Sequence, residues 1–102
     1  MITWGFVVSY SDAVTVGTPF SSTINGVVTP MISTYLGINE SGGSGDIVWL
    51  NALGIPQWLP NAQAGQFYPI GASQIVASGT VNGVSRTTTA TGMLWMASPS
   101  AV

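Results

Sequence analysis

Thirteen glycines and six prolines punctuate this chain of 102 residues so regularly that a helical pattern never establishes itself. They interrupt each apolar stretch before 3.6-residue periodicity accumulates. Between them lie short runs rich in β-branched and aromatic residues, such as "TWGFVVSY" and "DAVTV". Asn25-Gly26 in "STINGVV" and Asn82-Gly83 are strong two-residue turn signals. In "MISTYLGI", Ile32, Leu36 and Ile38 are expected on one face and Ser33 and Tyr35 on the other. "NESGGSG", residues 39–45, reads as the clearest loop, "DIVWLN" as a buried strand and "NALG" as a turn. "IPQWLP" is extended and belongs at a sheet edge, because its prolines remove ladder donors. "NAQAG" turns, "QFYPI" extends, "SQIVASGTV" alternates, and "SRTTTATGMLWMA" is expected to form one last long strand. Turn signals recurring roughly every 8 to 12 residues predict an all-β fold, an antiparallel β-sandwich of jelly-roll-like form with about eight short strands. The length predicts a single domain spanning residues 1–102.

Charge is the compositional outlier. Asp12, Glu40, Asp46 and Arg86 are the whole ionised set, 4% of the chain against a typical ~25%. The 23 serines and threonines must supply much of the polar surface. With a net charge of -2, little repulsion keeps copies apart. One cation cannot supply the phosphate contacts on which nucleic-acid affinity depends, and anionic membranes are excluded on the same ground. The N-terminal "MITWGFVVSY" has no basic n-region and no small-residue cleavage site, and apolar runs reach only about four residues, so neither a Sec-type signal nor a bilayer span is expected.

Enzymatic chemistry lacks its parts. With no His, Cys or Lys, a serine nucleophile has no base. Glu40 and Asp46 flank the Gly/Ser segment and Asp12 stands near a turn, but loop solubility and turn capping explain all three more simply than a glycosidase acid pair. Asn39, Glu40 and Asp46 offer hard oxygens for calcium, yet their spacing matches no defined calcium loop. "ESGGSG" lacks the lysine and the following helix of a phosphate loop. No catalytic residue, metal or cofactor is expected.

The tryptophans divide. Trp49 and Trp95 have apolar neighbours and read as core; Trp4, near the N-terminus, and Trp58, between prolines, read as partner contacts. In "MLWM", Met93 and Trp95 point one way and Leu94 and Met96 the other. A strand apolar on both faces must be covered on both, by a loop or by a neighbouring subunit. The preceding "RTTTATG" reads as an exposed edge or end, polar on both faces, and Arg86 either makes a bidentate contact to a neighbour's carboxylate or sits solvated at a turn.

Three stretches, "VVSYSDAVTV", "TYLGINESGGSGDIVWLN" and "AGQFYPIGASQIVASGT", resemble in pattern and order a group of small phage and gene-transfer-agent virion proteins, the capsid decoration (cement) and head spike-base proteins. The likeness covers most of residues 7–80; Gly71-Ala72 stands where that group usually has a basic residue, and "VNGVSRTTTATG" is longer than the typical tail. The resemblance implies a non-enzymatic particle component and transfers no catalytic residue. The expected function is capsid decoration: a homo-oligomer, a trimer by expectation, that binds the major capsid protein on the outer surface of the virion and stabilises the head. Residues 1–6 would serve as an N-terminal arm. Expected interface residues are Trp4, Phe6, Trp58, Arg86, Leu94 and Met96. The rival expectations are a spike-base, neck or tail position, or a carbohydrate-binding sandwich using Trp58 or Tyr68.

Overall fold

The computed structural model describes residues 10–97. Trp4 and Phe6, with the expected arm 1–6, lie outside the described residues. Within them the chain is all-β, with eleven short strands, all paired antiparallel, and no helix. The first sheet has the order β1 (Tyr10–Ala13), β11 (Thr91–Ala97), β4 (Tyr35–Gly43), β7 (Phe67–Tyr68). The second has the order β6 (Pro56–Ala62), β5 (Gly45–Leu50), β8 (Gln74–Ile75). Two hairpins complete the set, β2 (Ser21–Ile24) with β3 (Val27–Pro30) and β9 (Ser78–Val81) with β10 (Val84–Thr87).

The two larger sheets contribute opposite walls of one core, consistent with a β-sandwich. Leu36, Ile38, Met93 and Trp95 enter from the first sheet and Ile47, Ala62 and Ile75 from the second. Phe20, on the loop before β2, stacks on Trp95 with ring centroids 5.0 Å apart and planes 9° from parallel. Trp95 is core, as expected; Trp49 is half-buried and packs against that core. Trp58 lies on β6, at the end of its sheet as the prolines predict.

Both Asn-Gly pairs close their hairpins in the left-handed conformation that a primed two-residue turn requires. Asn25 and Gly26 have φ of 52° and 80°, and Asn82 and Gly83 have 51° and 80°. The "NALG" turn also forms, with Asn51 Oδ1 accepting the Leu53 and Ile55 amides at 2.9 and 3.0 Å.

Several sequence expectations change. The strands number eleven rather than about eight, because extended stretches break where the chain leaves one sheet for another. "SQIVASGTV" is shared between β8 and β9, and "SRTTTATGMLWMA" divides into β10 and β11. Residues 39–45 are no hairpin loop. β4 runs to Gly43 and β5 starts at Gly45, so this stretch is the corner at which the chain passes from the first sheet to the second. Ile38 pairs with Met93 and Gly43 with Thr91, which leaves residues 39–42 opposite Gly92 alone, a bulge of four residues against one. Only glycine fits at position 42, where a Cβ would press on the Thr91 carbonyl and stand 2.8 Å from Ile38 Cγ2. Finally, Ile32 is exposed and Ser33 buried, the reverse of the alternation expected for "MISTYLGI". The regular strand begins only at Tyr35, and Ser33 is turned inward as a bridge: its hydroxyl donates to the Ile70 carbonyl at 2.6 Å and accepts the Ala72 amide at 2.9 Å.

The threonine run is also not the free edge that was expected. β8 is too short to cover the length of β5, and the threonines satisfy the rest of that edge. Thr88 Oγ1 accepts the Val48 amide at 2.9 Å and donates to the Val76 carbonyl at 2.6 Å. Thr89 Oγ1 accepts the Asp46 amide at 2.8 Å, and the Asp46 carbonyl accepts the Thr89 and Ala90 amides. Thr91 Oγ1 accepts the Gly43 amide at 2.9 Å. Hydroxyls here take the place of strand backbone.

Candidate interaction surface

Alternation along β11 sends Met93, Trp95 and Ala97 into the core and leaves Leu94 and Met96 half-buried on the outer face of the first sheet. Cross-strand register builds that face. Leu94 stands opposite Ala13 on one side and Gly37 on the other, and Gly37 stands opposite Phe67. Met96 stands opposite Tyr35. Directly opposed residues share a face, so Ala13, Leu94, Gly37 and Phe67 form one row and Met96 and Tyr35 begin the next. Gly37 gives the row its shape: a Cβ there would stand 2.5 Å from the Phe67 ring, so the ring takes the space that a side chain would fill. Tyr35 and Phe67 remain 43% and 39% exposed. These rows hold no ionised side chain. Asp12 is opposite Trp95, on the other side of the pleat, and Glu40 lies in the bulge beyond Ile38.

Leu94 and Met96 therefore occupy the surface that sequence alternation expected. Tyr35 and Phe67 join them there without having been picked out. The signal for Phe67 was present in "QFYPI", where adjacent aromatics must face opposite ways in an extended strand. Its neighbour Tyr68 packs toward the core, and its hydroxyl accepts the Gln63 amide at 3.0 Å.

Trp58 and Arg86 meet each other elsewhere, beyond the second sheet. The β9–β10 hairpin lies over that sheet as a third layer. A Cβ at Gly79 would stand 3.2 Å from Pro56 Cβ and 3.4 Å from Val48 Cγ1. Val48 is fully buried beneath this cover, which is why "DIVWLN" is apolar on both sides. Arg86, opposite Gly79 in register, places its guanidinium carbon 3.7 Å from the centre of the Trp58 ring. Arg86 Nε and Trp58 Nε1 are buried there without a hydrogen-bond partner. Arg86 is thus neither simply solvated nor free of its own chain, and Trp58 has one face occupied. A tryptophan so covered is a poor sugar platform, and so is Tyr68.

The acidic residues are dispersed. Asp46 is tied into the corner, with Oδ1 accepting the Asn61 amide at 2.9 Å. Asn39 Oδ1 is engaged by the Ser41 amide and hydroxyl. Asp12 lines an open cleft with Thr15, Thr18 and Ser21 beside the Phe20–Trp95 stack. Among the described residues, no three His, Cys, Asp or Glu side chains gather as a metal site would need.

No family model matches the chain, and no curated protein or solved structure matches it.

Proposed function

We propose that this chain is a non-enzymatic phage virion protein, a capsid decoration (cement) protein that assembles with copies of itself on the outer surface of the head and bridges major capsid subunits. The observation that carries the reading is the uncharged apolar face of Leu94, Met96, Tyr35 and Phe67 on a chain with four ionised side chains in all. A face of this kind meets apolar surface on a neighbouring copy without ionic repulsion, and its burial drives association through the apolar area removed from water. Repetition around a symmetric shell then adds avidity to weak single contacts. The likeness of three stretches of the sequence to decoration and spike-base proteins supports the same class.

Immunogold labelling of purified virions, with an antibody raised against this chain, tests the proposal. Regular labelling over the head surface is expected. Label confined to the neck, tail or a spike base would move the protein to that position, and absence from the virion would end the reading. A carbohydrate-binding role predicts hits on a glycan array and no particle binding.

A further inference from the structure

We infer that Arg86 receives a carboxylate from a second copy of the chain, and that Glu40 supplies it. The inference rests on the homo-oligomeric reading above and names the pair that sets the register between copies.

Arg86 is the sole cation of the chain. Trp58 holds its guanidinium from one face at 3.7 Å, over backbone that Gly79 seats on Pro56 and Val48. Nε is turned into the protein and unpartnered, and no hydrogen bond or ion pair among the described residues takes up the two Nη groups. A guanidinium pinned on one face, with its fork free, is prepared for bidentate recognition of a carboxylate, and less side-chain freedom is lost when it binds. A phosphate-bearing partner would call for several cations, which the chain lacks.

Of the carboxylates in the described residues, Asp46 is held by the Asn61 amide and Asp12 by the Ala13 amide. Glu40 is exposed on the bulge, and no hydrogen bond among the described residues takes up its carboxylate. It makes no ion pair with Arg86 of its own chain. One uncommitted cation and one uncommitted carboxylate on separate patches are complementary between copies. A head-to-tail contact between two different patches closes into a ring when the rotation permits, as the proposed oligomer requires. With so few charges, one such pair decides register, while the apolar face supplies most of the attraction.

Charge reversal tests this, with sedimentation velocity of R86E, E40R and the double variant across a concentration series and circular dichroism to verify folding. Each single reversal opposes like charges at the contact and is expected to weaken association on the order of tenfold or more. The double variant is expected to recover to within about threefold of the parent, since the pair is restored with its sign inverted. E40R, at an exposed position, keeps the test intact if R86E disturbs the Trp58 stack. Singles that associate like the parent, or a double that stays as weak as the singles, overturn the inference while leaving the oligomer standing. An R86E variant that associates normally but no longer binds capsids also overturns it and assigns the carboxylate to the capsid. A parent chain that remains monomeric at every concentration overturns the homo-oligomeric reading itself.

Discussion

Thr88 serves Val48 as a neighbouring strand would, accepting its amide at 2.9 Å while passing its own proton to the Val76 carbonyl at 2.6 Å. One hydroxyl joins a donor and an acceptor of two chain segments 28 residues apart in sequence, and so closes an edge that β8 leaves open.

Thr88→Val keeps the shape and β-propensity of the residue but leaves the Val48 amide and Val76 carbonyl unsatisfied. It is expected to cost about 1–3 kcal/mol in urea unfolding, whereas Thr88→Ser, which retains the hydroxyl, should cost less than half as much. Equal losses for the two variants would show that packing, not the hydrogen bonds, matters at this position.

The Arg86–Trp58 stack fastens the third layer to the second sheet. In a double-mutant cycle of Arg86→Ala and Trp58→Leu, a coupling energy of about 0.5–2 kcal/mol is expected, the range of a partly desolvated cation–π contact. Additive losses would mean that the two side chains contribute only through separate contacts.

Leu94 and Met96 are expected to separate association from folding. The pair Leu94→Gln and Met96→Gln should change the stability of the monomer by no more than about 1 kcal/mol while abolishing self-association in size-exclusion chromatography. Leu36→Ala, on the inner side of the same sheet and fully buried, should instead cost about 2–5 kcal/mol. An outer-face variant that still associates would remove this face from the interface.

Gly83 has φ of 80° and no atom within 4 Å of where a Cβ would stand. Gly83→Ala therefore introduces backbone strain without a clash, and a loss of about 1–2 kcal/mol in thermal or denaturant unfolding is expected. No loss would show that the turn relaxes to another type at little cost.

Much of the fold was legible in the sequence wherever the cause was local. Asn25-Gly26 and Asn82-Gly83 announced their turns because few other pairs tolerate two successive left-handed residues. The split of Met93 and Trp95 from Leu94 and Met96 followed from the pleat alone. The corner at residues 39–45 is not legible in the sequence, because a Gly/Ser-rich segment has the same composition whether it is a solvated loop or a strand pressed against another backbone. The Arg86–Trp58 stack and the aromatic pair Tyr35 and Phe67 were not assembled in advance, since each joins residues far apart in the chain.

The sequence by itself determined the class of this protein: glycine and proline deny it helices, β-branched and aromatic runs supply strands, and the scarcity of ionised groups leaves a surface of hydroxyls and apolar side chains. It also determined that β11 has two apolar faces. Only the tertiary structure decided which of them looks inward, because a period of two distinguishes two faces without ranking them. That choice fell to long-range register, which set Trp95 against Leu36 and under Phe20 and left Leu94 beside Gly37 on the open side.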